Sequence, residues 1–318
     1  MQEPKKDSHD ASTLKIFFFD VWHNIDVTED KYPGFVRALR KLASSSVHHN
    51  QLAEVFARVI GEAWERLEPE QRPQRRPVRE DIVRYLEHSF PVVRVETFFE
   101  RNCGWKAPPN VLYLEGFLIM SAMPCFTSPS SVEYHNLLAY RLLLHIHFTH
   151  ELVRSTARYL LGTPDSSSNS SPTPLYRDAG LALEEQLYGA FLLYEAPEHH
   201  CFLQLTQEHA FLVEDPSQPG SAYLLPDQVL ADWAHRVEED FSNNRVLRKP
   251  PIDFATATPA PPPPPGYIRC RLAELFDPRP PRPAVPAGPP PEGYTRMAVG
   301  GMCRRGLVQR LAQEGNAA

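Results

Sequence analysis

The sequence has few of the features that mark a secreted or disulfide-bonded protein. Its 318 residues include only five cysteines, and no two of them form a C-x-x-C pair. Such a set builds neither a disulfide framework nor a zinc ribbon, and it indicates a reducing compartment. The opening residues, MQEPKKDSHDAS, lack the apolar core of a signal peptide. We therefore expect an intracellular protein, cytoplasmic or nuclear.

Excess positive charge and long apolar runs are also missing. The formal net charge is −6, whereas a protein that binds nucleic acid through its phosphates needs a basic surface. No apolar run reaches the roughly 18 residues that a membrane-spanning helix needs. We expect neither a nucleic-acid partner nor a membrane partner, which leaves a protein or peptide as the partner to consider. The nucleophile elbow G-x-S-x-G, the P-loop and the dinucleotide loop G-x-G-x-x-G are absent as well.

Proline, in contrast, is abundant. There are 33 prolines, about twice the usual share, and most of the excess lies in 249–266 and 277–293. Such segments favour extended polyproline II structure and do not build a packed core. The apolar segment 266–276 between them is a candidate to dock back on the folded body. The predicted division is a disordered N-terminus (1–13), a single α+β domain (14–248), a Pro-rich linker or strap (249–292) and a short C-terminal segment (293–318).

The body of the chain alternates between helical and strand patterns. Apolar residues at i, i+3 and i+4 spacing predict helices over 33–43, 51–67, 78–90, 130–161, 174–195 and 225–241. β-branched and aromatic residues predict a strand over 110–123 and a hairpin over 199–215. Helices grouped around a few strands predict the α+β class. The pair His48-His49 lies in a polar turn between the first two helices, and we expect it to be solvated.

The helix over 130–161 carries a narrow polar stripe in the stretch HIHFTHELVRSTARYLLG. Its members share one side of the helix and are His147, His150, Glu151, Arg154 and Arg158. The rest of the circumference is almost wholly apolar, so most of the helix is expected to be buried. The stripe is either a solvated strip or the wall of a cleft. His145 lies on the other side and is predicted to be a hydrogen-bonded core histidine.

The helix over 174–195 places one carboxylate among apolar side chains. Glu184 falls within the face built by residues such as Leu183 and Leu187, whereas Glu185 and Asp178 fall outside it and are expected to be solvated. A carboxylate on the buried face of a helix must be neutralised, paired or coordinating. Glu184 therefore needs a partner.

The two helices together resemble the helix pair of glu-zincin metallopeptidases. More closely, HELVRSTARYLLGTP and RDAGLALEEQLYGA are similar to an uncharacterised family of filamentous-fungal proteins, over residues 145–190. That family carries H-E-L-x-H, a polar loop, and then G-E-[AS]-G-x-x-x-E-x-x-x-[FY]-G-G. The resemblance implies a zincin-like fold for the α+β domain. It places His150 at a metal-ligand position, Glu151 at the catalytic general-base position and Glu184 at a third-ligand position.

The sequence departs from the family pattern at three places. Arg154 stands at the second ligand histidine, Arg177-Asp178 at the Gly-Glu pair and Ala190 at the last glycine. The first departure matters most, because a guanidinium stays protonated and has no lone pair for a metal. The resemblance thus implies a zinc metallopeptidase whose site is degenerate.

Three hypotheses follow. In the first, the protein is a pseudoenzyme without a cofactor, in which Arg154 replaces the charge of the metal by pairing with Glu151 or Glu184, and which acts as a binding or structural protein. In the second, His147, His150 and Glu184 form an atypical zinc site of an active hydrolase, a peptidase. In the third, the similarity is accidental, and the chain is a helical interaction scaffold with a Pro-rich tail.

Overall fold

The computed structural model describes most of the folded body. The described residues are 14–20, 23–26, 32–96, 110–115, 119, 126, 134–162, 173–197, 212–250, 252–263, 265, 267–271, 294–296 and 302–304. Among these residues, no helix is both long enough and apolar enough to cross a membrane. The helices are α1 (Pro33–His48), α2 (Asn50–Arg66), a 3-10 turn (Pro69–Gln71), α3 (Arg79–His88), α4 (Tyr134–Leu161), α5 (Thr173–Tyr188) and α6 (Asp227–Ser242).

The first sheet has four strands and contains parallel pairs. They are β1 (Ile16–Asp20), β2 (His23–Asp26), β3 (Val92–Glu96) and β4 (Val111–Glu115), in the order β2-β1-β3-β4. β1 and β2 form an antiparallel pair, whereas β3 runs parallel to both β1 and β4. In β4 the residues from Val111 to Leu114 are all buried, as is usual for a parallel strand that is covered on both faces.

The second sheet is antiparallel, with the order β7-β6-β5-β8. Its strands are β5 (Phe191–Pro197), β6 (Leu212–Glu214), β7 (Tyr223–Leu224) and β8 (Tyr267–Arg271). Arg271 donates two hydrogen bonds to the Glu214 carboxylate, at 2.5 and 2.6 Å, and its guanidinium lies over the Phe191 ring. These contacts tie β8 to β6 across β5. A separate antiparallel pair is formed by β9 (Tyr294–Arg296) and β10 (Met302–Arg304).

The core is built around α4. This helix of 28 residues packs against α5, α6 and β4. Every residue from Leu137 to Arg158 is buried except Arg141, because the apolar side chains cover most of the helix circumference. Mixed helices with small sheets agree with the predicted α+β class.

Part of the Pro-rich region docks on the second sheet. The Leu224 amide donates to the Thr258 carbonyl at 3.0 Å, and the Ala260 amide donates to the Ala222 carbonyl at 2.8 Å. Pro259 forms an isolated bridge with Tyr223 between these two bonds. The apolar segment that follows supplies β8, which pairs along the whole of its length with β5.

Several element predictions need correction. The helix predicted over 174–195 ends at Tyr188, and 191–195 are strand residues of β5. Gly189 explains the change, because its φ of +67° ends the helix in a conformation that favours glycine. The strand predicted over 110–123 is shorter in the structure, where β4 ends at Glu115 and Ile119 is helical. Of the hairpin predicted over 199–215, the structure describes 212–215, which contain β6. The sequence pattern did not predict β1 or β2.

His49 is buried and not solvated as expected. Its Nδ1 atom accepts a hydrogen bond from the Leu52 amide at 3.2 Å, which caps the start of α2. Its ring stacks on Phe241 of α6, with ring centroids 4.8 Å apart. Burial lowers the pKa of His49, against a smaller raising effect of Arg245 and Asp240. One histidine thus both begins a helix and fills a contact between two helices.

Candidate functional site

The polar stripe of α4 is inside the protein. His147, His150, Glu151, Arg154 and Arg158 are each at most 9% exposed. The alternative of a solvated strip is therefore wrong. These residues lie between α4 and the elements that cover it, chiefly α5 and β4, and so form a buried charge cluster together with Glu184. We use the name "buried charge cluster" for these six residues.

Glu184 meets His150 across the interface between α5 and α4. The distance between His150 Nδ1 and Glu184 Oε1 is 2.6 Å, and the two side chains are at most 1% exposed. An ionised carboxylate only accepts hydrogen bonds, so Nδ1 of His150 is the donor when Glu184 is ionised. Glu184 is thus buried and paired, as its place on the apolar face of the helix requires.

Gly180 allows this close approach. It lies one helical turn before Glu184, and a Cβ atom at this position would be 2.2 Å from the Cε1 and Nε2 atoms of His150. The imidazole ring therefore lies directly against the backbone of α5. We did not single out Gly180 from the sequence, although a glycine four residues before a buried carboxylate is a usable signal of such an approach.

Glu151 is paired with Arg154 one turn further along α4. Arg154 Nη1 donates to Glu151 Oε1 at 2.7 Å, whereas Glu184 is engaged by His150. Burial by itself would raise the pKa of Glu151, but the positive charge of Arg154, followed by smaller effects of the histidines and Arg158, lowers it overall. The carboxylate at the general-base position of the family thus stays ionised and hydrogen-bonded to a cation.

Arg158 completes the cluster, although the sequence analysis placed it on the stripe without predicting a role for it. Its Nη2 atom donates to the Val111 carbonyl at the start of β4, at 3.2 Å. Burial lowers its pKa, and the charge of Arg154 lowers it further, against a raising effect of Glu151. Arg158 therefore joins the long helix to the first sheet.

His147 lies on the same stripe of α4, one turn before His150, and is fully buried. Burial lowers its pKa to about 3, with Glu151 opposing the shift and the electrostatic effects of His150 and Arg154 adding to it. The imidazole is therefore neutral at physiological pH and keeps a nitrogen lone pair. This is the protonation state that metal binding requires.

The cluster carries balanced charges without a metal. Two carboxylates, Glu151 and Glu184, face two guanidinium groups, Arg154 and Arg158. Within the described part of the chain, His150 Nε2 and Glu184 Oε2 are buried without a hydrogen-bond partner. A carboxylate oxygen, and an imidazole nitrogen that carries no proton, have lone pairs to offer to a ligand.

The side chains of the cluster do not assemble a complete zinc site. Across the described ranges, no group of three His, Cys, Asp or Glu side chains is placed to hold a metal ion. His150 and Glu184 touch at 2.6 Å, whereas two ligands of one tetrahedral zinc ion lie about 3.4 Å apart. Arg154, at the second-ligand position, has no lone pair. The zinc set of His147, His150 and Glu184 stays a prediction.

The other residues that the sequence singled out lie elsewhere. His145 is buried on the opposite side of α4, edge-on to Phe241 with ring centroids 4.4 Å apart, and its Nε2 finds no partner among the described residues. Burial lowers its pKa to about 3, with a smaller effect of His49. Glu185 is exposed, as expected, and Ala190 is buried. The side chain of Asp178 lies outside the described residues, as does that of Arg177.

Comparison of the chain with protein-family models, with curated proteins and with solved structures finds no match in any of the three.

Proposed function

We propose that α4 and α5 are a zincin-type helix pair in which Arg154 has replaced the metal, and that the protein is a pseudoenzyme that binds a partner and does not hydrolyse it. The observation that carries the proposal is the contact between Arg154 and Glu151, at 2.7 Å. A guanidinium at the second-ligand position supplies the positive charge that a zinc ion would supply. It also holds the carboxylate at the general-base position.

The state of Glu151 argues against hydrolysis. A general base works best with a pKa near the working pH. Burial is the largest single effect on Glu151 and raises its pKa, but the combined effect of Arg154 and the neighbouring groups lowers the pKa overall. A carboxylate that already accepts a hydrogen bond from a cation is a weak acceptor for the proton of a water molecule. The residue at the catalytic position thus supports the fold.

The burial of the cluster argues in the same direction. A catalytic zinc ion keeps one open position for water or substrate. His150 is 1% exposed and Glu184 is fully buried, so these side chains present no open position to solvent. Binding of a protein or peptide partner would then use another surface of the molecule.

One observation favours the active zinc hydrolase as a second candidate. His150 Nε2 and Glu184 Oε2 lack partners within the described ranges, and a buried atom with an unused lone pair is a candidate ligand atom. His147 is neutral and near enough to interact electrostatically with His150. A modest rotation of these side chains would be needed to bring three ligands to one ion.

Metal analysis of the purified protein separates the two candidates. We expect much less than one zinc per chain after expression in zinc-supplemented medium, measured by mass spectrometry of the elements. One zinc per chain that disappears in His150→Ala would overturn the pseudoenzyme and support the hydrolase.

The variant Arg154→His tests whether α4 and α5 are a zincin-type helix pair that has lost its metal. It restores H-E-x-x-H, and we expect it to bind about one zinc per chain with a dependence on Glu184, so that Arg154→His combined with Glu184→Gln binds less. Arg84→His is the matched control, because it adds a histidine at an exposed site on α3. Circular dichroism checks that each variant folds. If a folded Arg154→His gains no more zinc than the control, the zincin resemblance fails and the helical scaffold is favoured.

A further inference from the structure

A cavity lies on the opposite side of α4 from the buried charge cluster. Its volume is about 350 Å³, and it opens between α1, α4 and α6. Small-molecule sites commonly occupy about 300–1,000 Å³, so the cavity falls at the lower end of that range. None of the six cluster residues lines it.

The wall of the cavity is mostly apolar. Leu138 and Leu142 of α4 face Val237 and Phe241 of α6, and Leu42 closes the side formed by α1. Phe241 is fixed between two histidines, since His145 meets it edge-on at 4.4 Å and His49 stacks on it at 4.8 Å. A rigid apolar wall of this kind favours a small molecule with an apolar body.

The rim of the cavity is positively charged. Three cations line it, Arg37 and Lys41 from α1 and Arg141 from α4, whereas Glu238 is the one carboxylate among the described lining residues. Glu238 is shared, because its two oxygens lie 3.1 Å from Lys41 Nζ and 3.7 Å from Arg141 Nη1. The rim therefore keeps an excess of two positive charges.

Two of these cations are placed in a way that suits an anionic group. Arg141 is the single exposed residue between Leu137 and Arg158, so α4 presents one charge at the mouth of an otherwise buried surface. Arg37 is exposed and makes no ion pair with any residue in the described part of the chain. A guanidinium with two adjacent N–H groups available can bind a carboxylate through two parallel hydrogen bonds.

We propose that this cavity binds a small amphipathic carboxylate, with the apolar body between α1, α4 and α6 and the carboxylate at Arg37 and Arg141. The excess of positive charge selects an acid over a neutral molecule of the same shape. The apolar wall selects a molecule with a hydrocarbon body over a small polar anion. The site is separate from the buried charge cluster and does not depend on the proposal for that cluster.

Binding of decanoate, below the concentration at which it forms micelles, tests the proposal by isothermal titration calorimetry on the full chain. Decanol is the matched neutral probe and acetate is the probe without an apolar body. We expect decanoate to bind at least about tenfold more tightly than either, since one charge-assisted hydrogen bond corresponds to roughly a tenfold change in affinity. Equal affinity for decanoate and decanol would overturn the proposal, and so would the absence of decanoate binding.

Variants locate the site. Arg37→Gln is expected to weaken decanoate binding by about tenfold and to leave decanol binding unchanged. Arg58→Gln, at an exposed position of α2 outside the cavity, is the matched control and should bind like the unchanged protein. Ala38→Phe fills the cavity from α1 and should abolish binding, and Ser45→Phe serves the same purpose if the first variant fails to fold. Equal binding by Arg37→Gln and Arg58→Gln, or undiminished binding by a folded cavity-filling variant, would show that the site lies elsewhere.

Discussion

The two sides of α4 differ in whether their positive and negative charges balance. On one side, the buried charge cluster balances two carboxylates against two guanidinium groups, and its side chains are almost wholly buried. On the other side, Arg37, Lys41 and Arg141 outnumber Glu238, which is the one carboxylate among the described residues that line the cavity. Charges that satisfy one another inside a protein hold elements together, whereas an unbalanced excess at an opening is available to a ligand.

Removal of Arg154 should give the largest effect. Arg154→Met leaves Glu151 as a buried carboxylate without its ion-pair partner, and we expect a loss of about 3–5 kcal/mol in the free energy of unfolding, measured by urea denaturation. The double variant Glu151→Gln with Arg154→Met should recover part of this loss, because no unpaired charge remains.

The other side of α4 supplies the control for this prediction. Lys41→Met breaks an exposed ion pair with Glu238, and such pairs contribute less than about 1 kcal/mol. If Arg154→Met and Lys41→Met lower the free energy of unfolding by the same amount, the proposed difference between the two sides of α4 is wrong.

One buried histidine on each side of α4 should contribute to the pH dependence of the free energy of unfolding. His145 and His147 have pKa values of about 3 in the folded protein, against an ordinary value of 6.5. The unfolded chain therefore binds more protons between pH 6.5 and pH 3, so stability is present above pH 6.5 and falls as the pH falls. We expect a loss of about 1.4 kcal/mol per histidine between pH 7.5 and pH 5.5.

Variants at single histidines divide this pH dependence between the two sides. Urea denaturation of His145→Leu at both pH values should show a loss about 1.4 kcal/mol smaller than that of the unchanged protein, with the remainder due to His147 and His49, whose pKa values are also lowered. His88→Gln, at an exposed position, should show the full pH dependence of the unchanged protein. An unaltered pH dependence in His145→Leu would mean that folding does not lower the pKa of this histidine.

Substitution of Gly180 should have a smaller effect on stability than removal of Arg154. Gly180→Ala places a Cβ atom 2.2 Å from the buried ring of His150, and we expect a loss of about 1–3 kcal/mol in the free energy of unfolding. Gly61→Ala is the matched control within α2, because its Cβ would meet only the end of the Arg76 side chain, which is half exposed and able to move. Thermal unfolding of the two variants compares them, and equal stability would show that α5 does not lie tightly against His150.

The sequence predicted where the charges lie but not how they pair. Helical periodicity placed Glu184 on a buried face and put His150, Glu151 and Arg154 on one stripe of α4, since these relations depend on one helix alone. The choice of His150 as the partner of Glu184 depends on how α5 is positioned along α4. That position is set by the close approach at Gly180, which is a contact between elements and leaves no periodic signal.

The strands were harder to predict than the helices for a physical reason. A short apolar run such as FLLYE in β5 fits a buried strand and a helix equally well. The residue that decides between them is Gly189, whose positive φ ends α5 before the run begins. The burial of His49 was not predicted, because a histidine in a polar turn becomes a buried helix cap only when α6 packs over it.

The prolines at the end of the second sheet have a consequence for self-association. The outer strand β7 is covered by 258–260, whose bonds to the sheet come from Thr258 and Ala260, so Pro259 lies with its nitrogen turned away from the sheet. An approaching strand would find no N–H donor at Pro259, nor at the prolines of 261–263 that follow. Residues 258–260 pair with the edge of the sheet, and the prolines prevent a strand of another chain from pairing beyond them. This protects the molecule against aggregation through this edge.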